Sequence, residues 1–558
     1  MIDYKVLKHL NINEPHAVAD EIRKEIIDAC LKNGGHLASN LGVVELTVAL
    51  YGCFDIEKDK IVFDVGHQCY THKILTGRLN EFKNLRRSNG VSGFPKVSES
   101  VYDLFSTGHA STSLSLCSGL AKARELSGES YEIVAVIGDG SFLCGQTFEA
   151  LCDISRRKDK VIIVLNDNGM TISSTGAELT SSDERLGKFF SSLGIEYLGS
   201  ADGHDFSKLF DIFKKAKDND GPVALRAVTE KGKGYAPSVK HPEKFHSVGV
   251  ALRETYSSVF GKALTELAVK DDKIAAITAA MTGGVGLLDF SKNYPERFFD
   301  AGICEAHAVT FAAALAKSGY KPFVAIYSTF LQRAYDQLIV DVCLDERPVR
   351  LFVDHTGAVD YDGETHQGFY AYSYLLSMPN MTVAAPKSKT ELKMLVEFAA
   401  KFDKPLAVCY PKYVEDTAEH VGKIAVGEWE YTPDSADITI FTTGARTYRL
   451  AVEAYELLRQ KGIRAQVVNA LFIKPIDVKA VKKAAEQGMV VTIEDGIENG
   501  GFGQSIIALY NKENLKGKLL TVSVEDPLQK QASIEEMENN LGLNAKSLAE
   551  KIIKAYEA

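Results

Sequence analysis

The sequence predicts an α/β protein of three domains, each a parallel sheet flanked by helices. Three observations carry that prediction. Short apolar runs such as 133–137 and 161–165 are β-branched and do not alternate with polar residues, the pattern of strands buried on both faces. Each run stops at a polar or glycine-bearing turn, and helical periodicity fills the gap before the next. At 558 residues the chain is also too long for a single core. A hydrophobic share of 45% and a charged share of 25% are ordinary for a globular protein. The net charge of −10 argues against a nucleic-acid partner, so an anionic substrate needs a local basic pocket. With no apolar run of about twenty residues and no signal pattern after Met1, the expectation is a cytoplasmic protein without a membrane partner. The nine cysteines form no Cys-x-x-Cys pair, so neither disulfides nor a zinc site are expected.

Residues 1–35 read as helical, with Ile22, Ile26 and Ile27 on one apolar face. Three loops follow, each carrying one histidine beside glycine: Gly34 to Gly42 with His36, Asp64 to Gln68 with His67 after the strand 61–63, and Ser106 to Ser113 with His109. A single loop histidine is more often solvated or structural than catalytic. Three of them before the next stretch favour function. That stretch is Ile137-Gly138-Asp139-Gly140-Ser141, followed after a helix and the strand 161–165 by Asn166-Asp167-Asn168. Parallel strands send their carboxyl ends to one sheet edge, so Asp139 and Asn168 should emerge side by side. A hard cation such as Mg2+ takes oxygen ligands and keeps substrate phosphate oxygens in its shell, and the flanking glycines let a diphosphate approach. Gly-Asp-Gly alone reads better as a tight turn; the spacing to Asn168 turns the balance.

Gly-Asp-Gly with Asn about thirty residues later, after an apolar strand, resembles the diphosphate and Mg2+ motif of thiamine diphosphate enzymes. The histidine loops narrow it. Gly-Gly-His-Leu-Ala-Ser-Asn-Leu-Gly at 34–42, Asp-Val-Gly-His-Gln at 64–68 and Lys-Ile-Leu-Thr-Gly-Arg at 73–78 resemble 1-deoxy-D-xylulose-5-phosphate synthases, a transketolase-like family. The resemblance implies two thiamine diphosphate-binding domains and a C-terminal transketolase domain. It sends His36, His67 and His109 toward the cofactor and its reacting carbon, with Gly138, Gly140 and Ser141 at the diphosphate. The cation would be held by Asp139, Asn168 and the backbone carbonyl of Met170, and Ile172 would be the wedge that bends the cofactor. Ser173 to Glu184 is polar, reads as a loop and is short for the family. After the strand 222–228, Lys231 and His246 match family positions near the cofactor pocket, with solvated charges on a linker an alternative of nearly equal weight. The segment 236–249 is read as that linker.

A second α/β unit follows, with strands near 274–280, 298–303, 321–327, 348–355, 381–386 and 405–411. Glu305 stands between a strand and a very apolar helix, a costly place for a carboxylate without a partner, though a dipole-stabilised cap is the simpler account. The resemblance gives it the aminopyrimidine nitrogen of the cofactor as partner. Ile326 to Gln337 matches the same family nearly letter for letter, which implies that Phe330 stacks on the pyrimidine while Tyr327 and Arg333 line the substrate channel. Arg333 and Asp336 are expected on the buried side. Asp354 to Gly368 follows, in which Asp362 and His366 match positions that contact the acceptor's oxygens, and His36, His109 and His366 would move protons. Two departures stand out: His355 and Lys412 occupy positions where the family carries arginines that clamp the acceptor phosphate. A lysine is a point charge and histidine is only partly charged, so the grip should be weaker or differently shaped.

From 414 to 436 the chain reads as a polar linker holding the only tryptophan, Trp429, and strands near 438–441, 465–468, 489–493 and 519–522 build the last unit. The Gly-rich turn at 498–503 reads as a structural start to a helix. Domain limits are expected at 1–245 for diphosphate binding, 250–415 for pyrimidine binding and 430–558 for the C-terminal domain. The resemblance implies condensation of pyruvate with D-glyceraldehyde 3-phosphate by a homodimer using thiamine diphosphate and Mg2+. A transketolase-like enzyme with another ketol donor or an unphosphorylated acceptor, and an inactive cofactor-binding homologue, are the alternatives.

Overall fold

Val134, Val136, Ile162 and Val164 enter one hydrophobic core, while Ile133, Ala135, Ile137, Ile163 and Leu165 enter another. That division is why these strands show no polar alternation. The computed structural model describes residues 4–7, 14–169, 177–249, 253–415, 422–431 and 436–558. It divides into two units, residues 1–252 with 361–365 and residues 253–360 with 366–558.

The first unit holds β1 (Lys60–Phe63), β2 (Ile133–Gly138), β3 (Ile162–Asp167), β4 (Glu196–Asp202) and β5 (Val223–Val228). They form one parallel sheet in the order β1-β2-β3-β5-β4. Helices Glu14–Asn33, Val44–Cys53 and Phe206–Lys217 cover one face, and Ser113–Ser127, Gly145–Arg157 and Asp183–Ser192 the other. The register sets Gly138 opposite Asn166, so the turns after β2 and β3 leave the sheet together.

The second unit contains β6 (Ile274–Thr278), β7 (Phe298–Asp300), β8 (Lys321–Tyr327), β9 (Arg350–Asp354), β10 (Thr382–Ala384), β11 (Leu406–Cys409), β12 (Ile438–Thr442), β13 (Ala465–Asn469), β14 (Phe472–Lys474), β15 (Met489–Ile497) and β16 (Leu519–Val524). One sheet runs β14-β10-β11-β9-β8-β6-β7, parallel except for β14. The other is a parallel four-stranded sheet in the order β13-β12-β15-β16. In the larger sheet Tyr327 pairs with Asp354 and Val353 with Cys409, which brings the ends of β8, β9 and β11 into adjacent positions. Among the described residues no helix is long and apolar enough to cross a membrane.

Several sequence expectations change. The strands β4 and β14 escape the pattern, because β4 is an edge strand with mostly half-exposed residues and β14 is only three residues long. The segment expected to be a loop at 173–184 contains the helix Ala177–Thr180 and the start of Asp183–Ser192, where the Ser182 side chain accepts from the Arg185 amide. The segment 236–249 is no linker: it includes the helix Ala236–Lys240, and Val248 bridges to Gly35. Trp429 is buried, donating its indole N–H to the Phe472 carbonyl at 2.9 Å, so this part of the supposed second linker is packed. Asp336 is exposed.

A buried ion cluster braces the loop that precedes His109. His72 Nε2 lies 2.6 Å from Asp103 Oδ1, and Arg78 donates to both Asp103 oxygens at 2.7 and 2.8 Å. The Lys96 amide also donates to Asp103, and Lys73 donates to Glu99 at 2.5 Å. Burial alone would raise the Asp103 carboxyl, but the bonds from His72 and Arg78 hold it far below the carboxylate range. Asp103→Asn should leave Arg78 and Lys73 buried with too little negative charge, costing about 3–5 kcal/mol. Thermal and denaturant unfolding should show the earliest transition moving to milder conditions; an unchanged transition would contradict the bracing role.

Candidate active site

Four turns at the carboxyl edge of the first sheet carry the polar groups of this unit. After β1, Val65 and Gly66 adopt φ of 57° and 86° before His67. A Cβ on Gly66 would fall 2.2 Å from Pro95 and 2.4 Å from the Thr107 hydroxyl, so only glycine allows this approach. Asp64, at the end of the same strand, accepts from the amides of Ser111 and Ser113 at 2.8 and 3.0 Å and so fixes the loop of half-buried His109. Asn40 joins two of the histidine loops: its Nδ2 donates to the carbonyls of His36 and His67, both at 2.7 Å, and its Oδ1 accepts from the Tyr70 amide.

The imidazoles of His36, His67 and His246 form a triangle, with centroids 5.7, 5.8 and 5.9 Å apart. All three are held neutral. Burial drives His36 well below the usual histidine range, with His67 and Arg86 adding to it. Burial, then the Lys231 charge, lowers His67 to about 4 and His246 to about 3. His246 Nδ1 lies 3.2 Å from the Ser39 hydroxyl, whereas Nδ1 of His36 and of His67 is buried without a hydrogen-bond partner. Lys231 follows the turn after β5; burial lowers its ammonium, and the charge of Asp139 partly restores it.

Asp139 opens the turn after β2. Its Oδ1 accepts from the Gly140 amide at 2.8 Å, and its Oδ2 is buried without a hydrogen-bond partner. Burial, then the neighbouring Asp167, raises this carboxyl to about 6, and a backbone hydrogen bond from Asn168 partly lowers it. Asp167 is tied to Arg226 at 2.7 and 2.8 Å, so it is spoken for. An added Cβ at Gly138 would meet nothing within 4 Å. An unpartnered carboxylate oxygen, two unpartnered imidazole nitrogens, a half-buried ammonium and open backbone suit a phosphorylated cofactor with its cation. Among the described residues no group of three or more His, Cys, Asp or Glu side chains could hold a metal, so a cation here needs ligand oxygens as well. Met170 and Ile172 lie outside the described residues.

Residues 361–365 belong to the first unit. Arg86 binds the Asp362 carboxylate and donates from Nε to the Tyr361 carbonyl at 3.1 Å. Lys96 pairs with Glu364, and the Arg87 guanidinium lies 4.5 Å from the Tyr361 ring. Neither Arg86 nor Lys96 stands out in the sequence, because each finds its partner more than 250 positions away. Asn40 is missed too, since its partners at His67 and Tyr70 lie on another loop, 27 and 30 positions away.

In the second unit Glu305 is the first residue of the helix Glu305–Lys317 and is 4% exposed. Burial raises its carboxyl, with the charge of half-buried Arg333 opposing. After β8, Tyr327 stacks on His355 at 3.9 Å between centroids and on Phe330 at 5.7 Å, and Phe330 meets the edge of His366 at 5.5 Å. Gly284 makes room for Tyr327, since a Cβ there would lie 2.2 Å from its hydroxyl. His355 Nδ1 is 2.9 Å from Asp354 Oδ1, and Lys412 Nζ is 2.8 Å from Asp360 Oδ1. The structure thus gathers Tyr327, Phe330, His355 and His366 into one aromatic cluster.

The family model described as 1-deoxy-D-xylulose-5-phosphate synthase matches residues 2–186 and 176–229, that of the transketolase pyrimidine binding domain 254–414, and that of the transketolase C-terminal domain 427–548. A 1-deoxy-D-xylulose-5-phosphate synthase of Clostridium acetobutylicum is 44% identical over 608 positions, covering 99% of this chain and 98% of that one. One of Caldanaerobacter subterraneus subsp. tengcongensis is 41% identical with the same coverage. Both alignments run over more positions than the chain has residues, so this chain is the shorter. A solved structure titled split gene transketolase, inactive beta4 tetramer, matches at 26% identity and TM-score 0.50, covering 55% of this chain and 99% of that one.

The three neutral imidazoles make a pH dependence. Their folded-state pKa values lie below the ordinary ~6.5, so below that pH the unfolded chain binds protons that the folded one refuses. Stability contributed above about pH 6.5 is therefore lost as the pH falls toward about 4. The thermal midpoint of the protein should fall over that window, and His246→Asn, with one such group fewer, should give a shallower slope. Parallel slopes would show that His246 is protonated in the folded state.

Proposed function

The chain belongs to the 1-deoxy-D-xylulose-5-phosphate synthase family, and from that membership we propose how its own residues carry the family's reaction. The protein is a thiamine diphosphate enzyme that joins pyruvate to D-glyceraldehyde 3-phosphate with loss of carbon dioxide, giving 1-deoxy-D-xylulose 5-phosphate. The observation that carries the site assignment is the pairing of an unpartnered Asp139 oxygen with two unpartnered, uncharged imidazoles in one unit.

When bound, the cofactor supplies a carbon nucleophile for the pyruvate ketone and a sink for the electron pair that decarboxylation releases. In our reading Asp139 and Asn168 hold Mg2+ against the diphosphate, with the Met170 carbonyl completing the set. Gly138, Gly140 and Ser141 bring backbone to the same anion, and Lys231 offers its ammonium there. Glu305, whose carboxyl burial raises, would hydrogen-bond the aminopyrimidine nitrogen, and Phe330 would offer its ring to the pyrimidine. Ile172 is assigned as the wedge beneath the cofactor. His67 faces the cofactor; His36, His109 and His366 accept or return protons at the reacting carbon and its oxygen. A neutral imidazole such as His36 can accept a proton and return it as the imidazolium so formed. His246, Tyr327, Arg333, His355, Asp362 and Lys412 are assigned to the substrates, with Asp362 sharing its carboxylate with Arg86.

The domain limits 1–245, 250–415 and 430–558, a homodimeric assembly and a cytoplasmic location belong to the same proposal. Protein supplied with Mg2+ and thiamine diphosphate should release carbon dioxide from pyruvate when D-glyceraldehyde 3-phosphate is added. Glu305→Ala should lower turnover by about a hundredfold or more, while calorimetry shows cofactor binding largely retained. Full activity in that variant would refute the role given to Glu305.

A further inference from the structure

We propose that Asp360 determines acceptor specificity: its carboxylate engages the donors that an acceptor phosphate would need, so this chain discriminates only weakly between phosphorylated and neutral aldehydes. The proposal rests on the assignment of Lys412 to the acceptor site. Asp360 is 7% exposed, and each of its oxygens has its own donor. Lys412 Nζ lies 2.8 Å from Oδ1, and the Tyr413 hydroxyl donates to Oδ2 at 3.0 Å. Burial, followed by the opposing charge of Lys412 and the charge of Asp360, leaves the Tyr413 phenol above its ordinary value, so it remains a donor.

The second cationic candidate is balanced in the same way. His355 lies 2.9 Å from Asp354, a fully buried carboxylate whose other oxygen accepts from Ser257 at 2.5 Å. Lys412 and His355 therefore bring no net positive charge with their carboxylates counted. Arg253, exposed and 4.3 Å from the Tyr413 ring, adds a solvent-screened charge at the rim. A phosphate dianion entering here must draw Lys412 and Tyr413 away from Asp360 and then sit beside a buried carboxylate. One charge-assisted bond is exchanged for another, with repulsion added. A neutral hydroxyaldehyde meets no such repulsion, because its hydroxyl can donate to Asp360 and accept from Lys412 together.

The test uses the holoenzyme at saturating pyruvate, with D-glyceraldehyde 3-phosphate and D-glyceraldehyde as paired acceptors. In Asp360→Asn, the ratio of kcat/KM for the phosphorylated over the neutral aldehyde should rise about tenfold, the scale of one charge-assisted contact. The rise should come through KM for the phosphorylated substrate, and inorganic phosphate should compete with the aldehyde more strongly by a similar factor. Asp360→Ala should move the ratio in the same direction, which guards against an effect of the amide itself. A ratio that stays fixed or falls in both Asp360 variants overturns the proposal. Lys412→Met separates the two layers: if KM for the phosphorylated aldehyde does not change, the placement of Lys412 fails and the proposal with it. If that KM rises while the Asp360 variants leave the ratio fixed, only the role of Asp360 falls.

Discussion

A parallel strand covered on both faces can meet a ligand only at its ends, and in this chain that leaves the carboxyl edges of two sheets to carry the polar chemistry. The first sheet sends out Asp64 to His67, Asp139, Asn168 and Lys231 from successive strand ends; the larger sheet of the second unit sends out Tyr327, His355 and Lys412. Register decides which of these meet. Gly138 opposite Asn166 brings Asn168 to Asp139, and Tyr327 opposite Asp354 places His355 on the tyrosine ring. A slip of one residue in either pair would turn these side chains into the core.

Burial then sets the charge state of what the edges carry. His36, His67 and His246 are pushed down, Asp139 and Glu305 are pushed up, and Lys231 is pushed down, so every one of these groups moves toward its uncharged form. Groups held near neutrality by their surroundings can exchange protons without leaving a stranded charge. The cluster of His72, Arg78 and Asp103 shows the opposite solution. There the Arg78 and Asp103 charges are retained because each is hydrogen-bonded, while burial lowers His72 toward its neutral form beside them.

Much of this was legible in the sequence wherever the signal is local. The doubly buried strands, the histidines beside glycine and the Asp139–Asn168 spacing all lie within one or two elements. What escaped depends on distant partners. Lys231 and His246 read equally well as solvated charges, because the loop at 36–42 that buries them is nearly two hundred positions away. The polarity of 236–249 and 414–436 suggested linkers, yet Val248 anchors the first and Trp429 packs part of the second. Asp360 sat unremarked between two residues of a matched motif, since only the fold brings Lys412 and Tyr413 to it.

The end of β3 before Asn168 is tied to the helix start at Asp183. The synthase model matches in two stretches that overlap at 176–186, which locates a break in the correspondence there. The helix Asp183–Ser192 follows the short helix Ala177–Thr180, and Asp183 accepts from Tyr197 at 2.6 Å and from Ser200 at 2.7 Å. Arg226 on β5 reaches both Asp183, at 3.6 Å, and Asp167, at 2.7 Å. One guanidinium therefore ties the new helix start to the end of β3, one residue before Asn168. The strand end that precedes Asn168 thus has a second anchor in Asp183, through the shared Arg226 guanidinium.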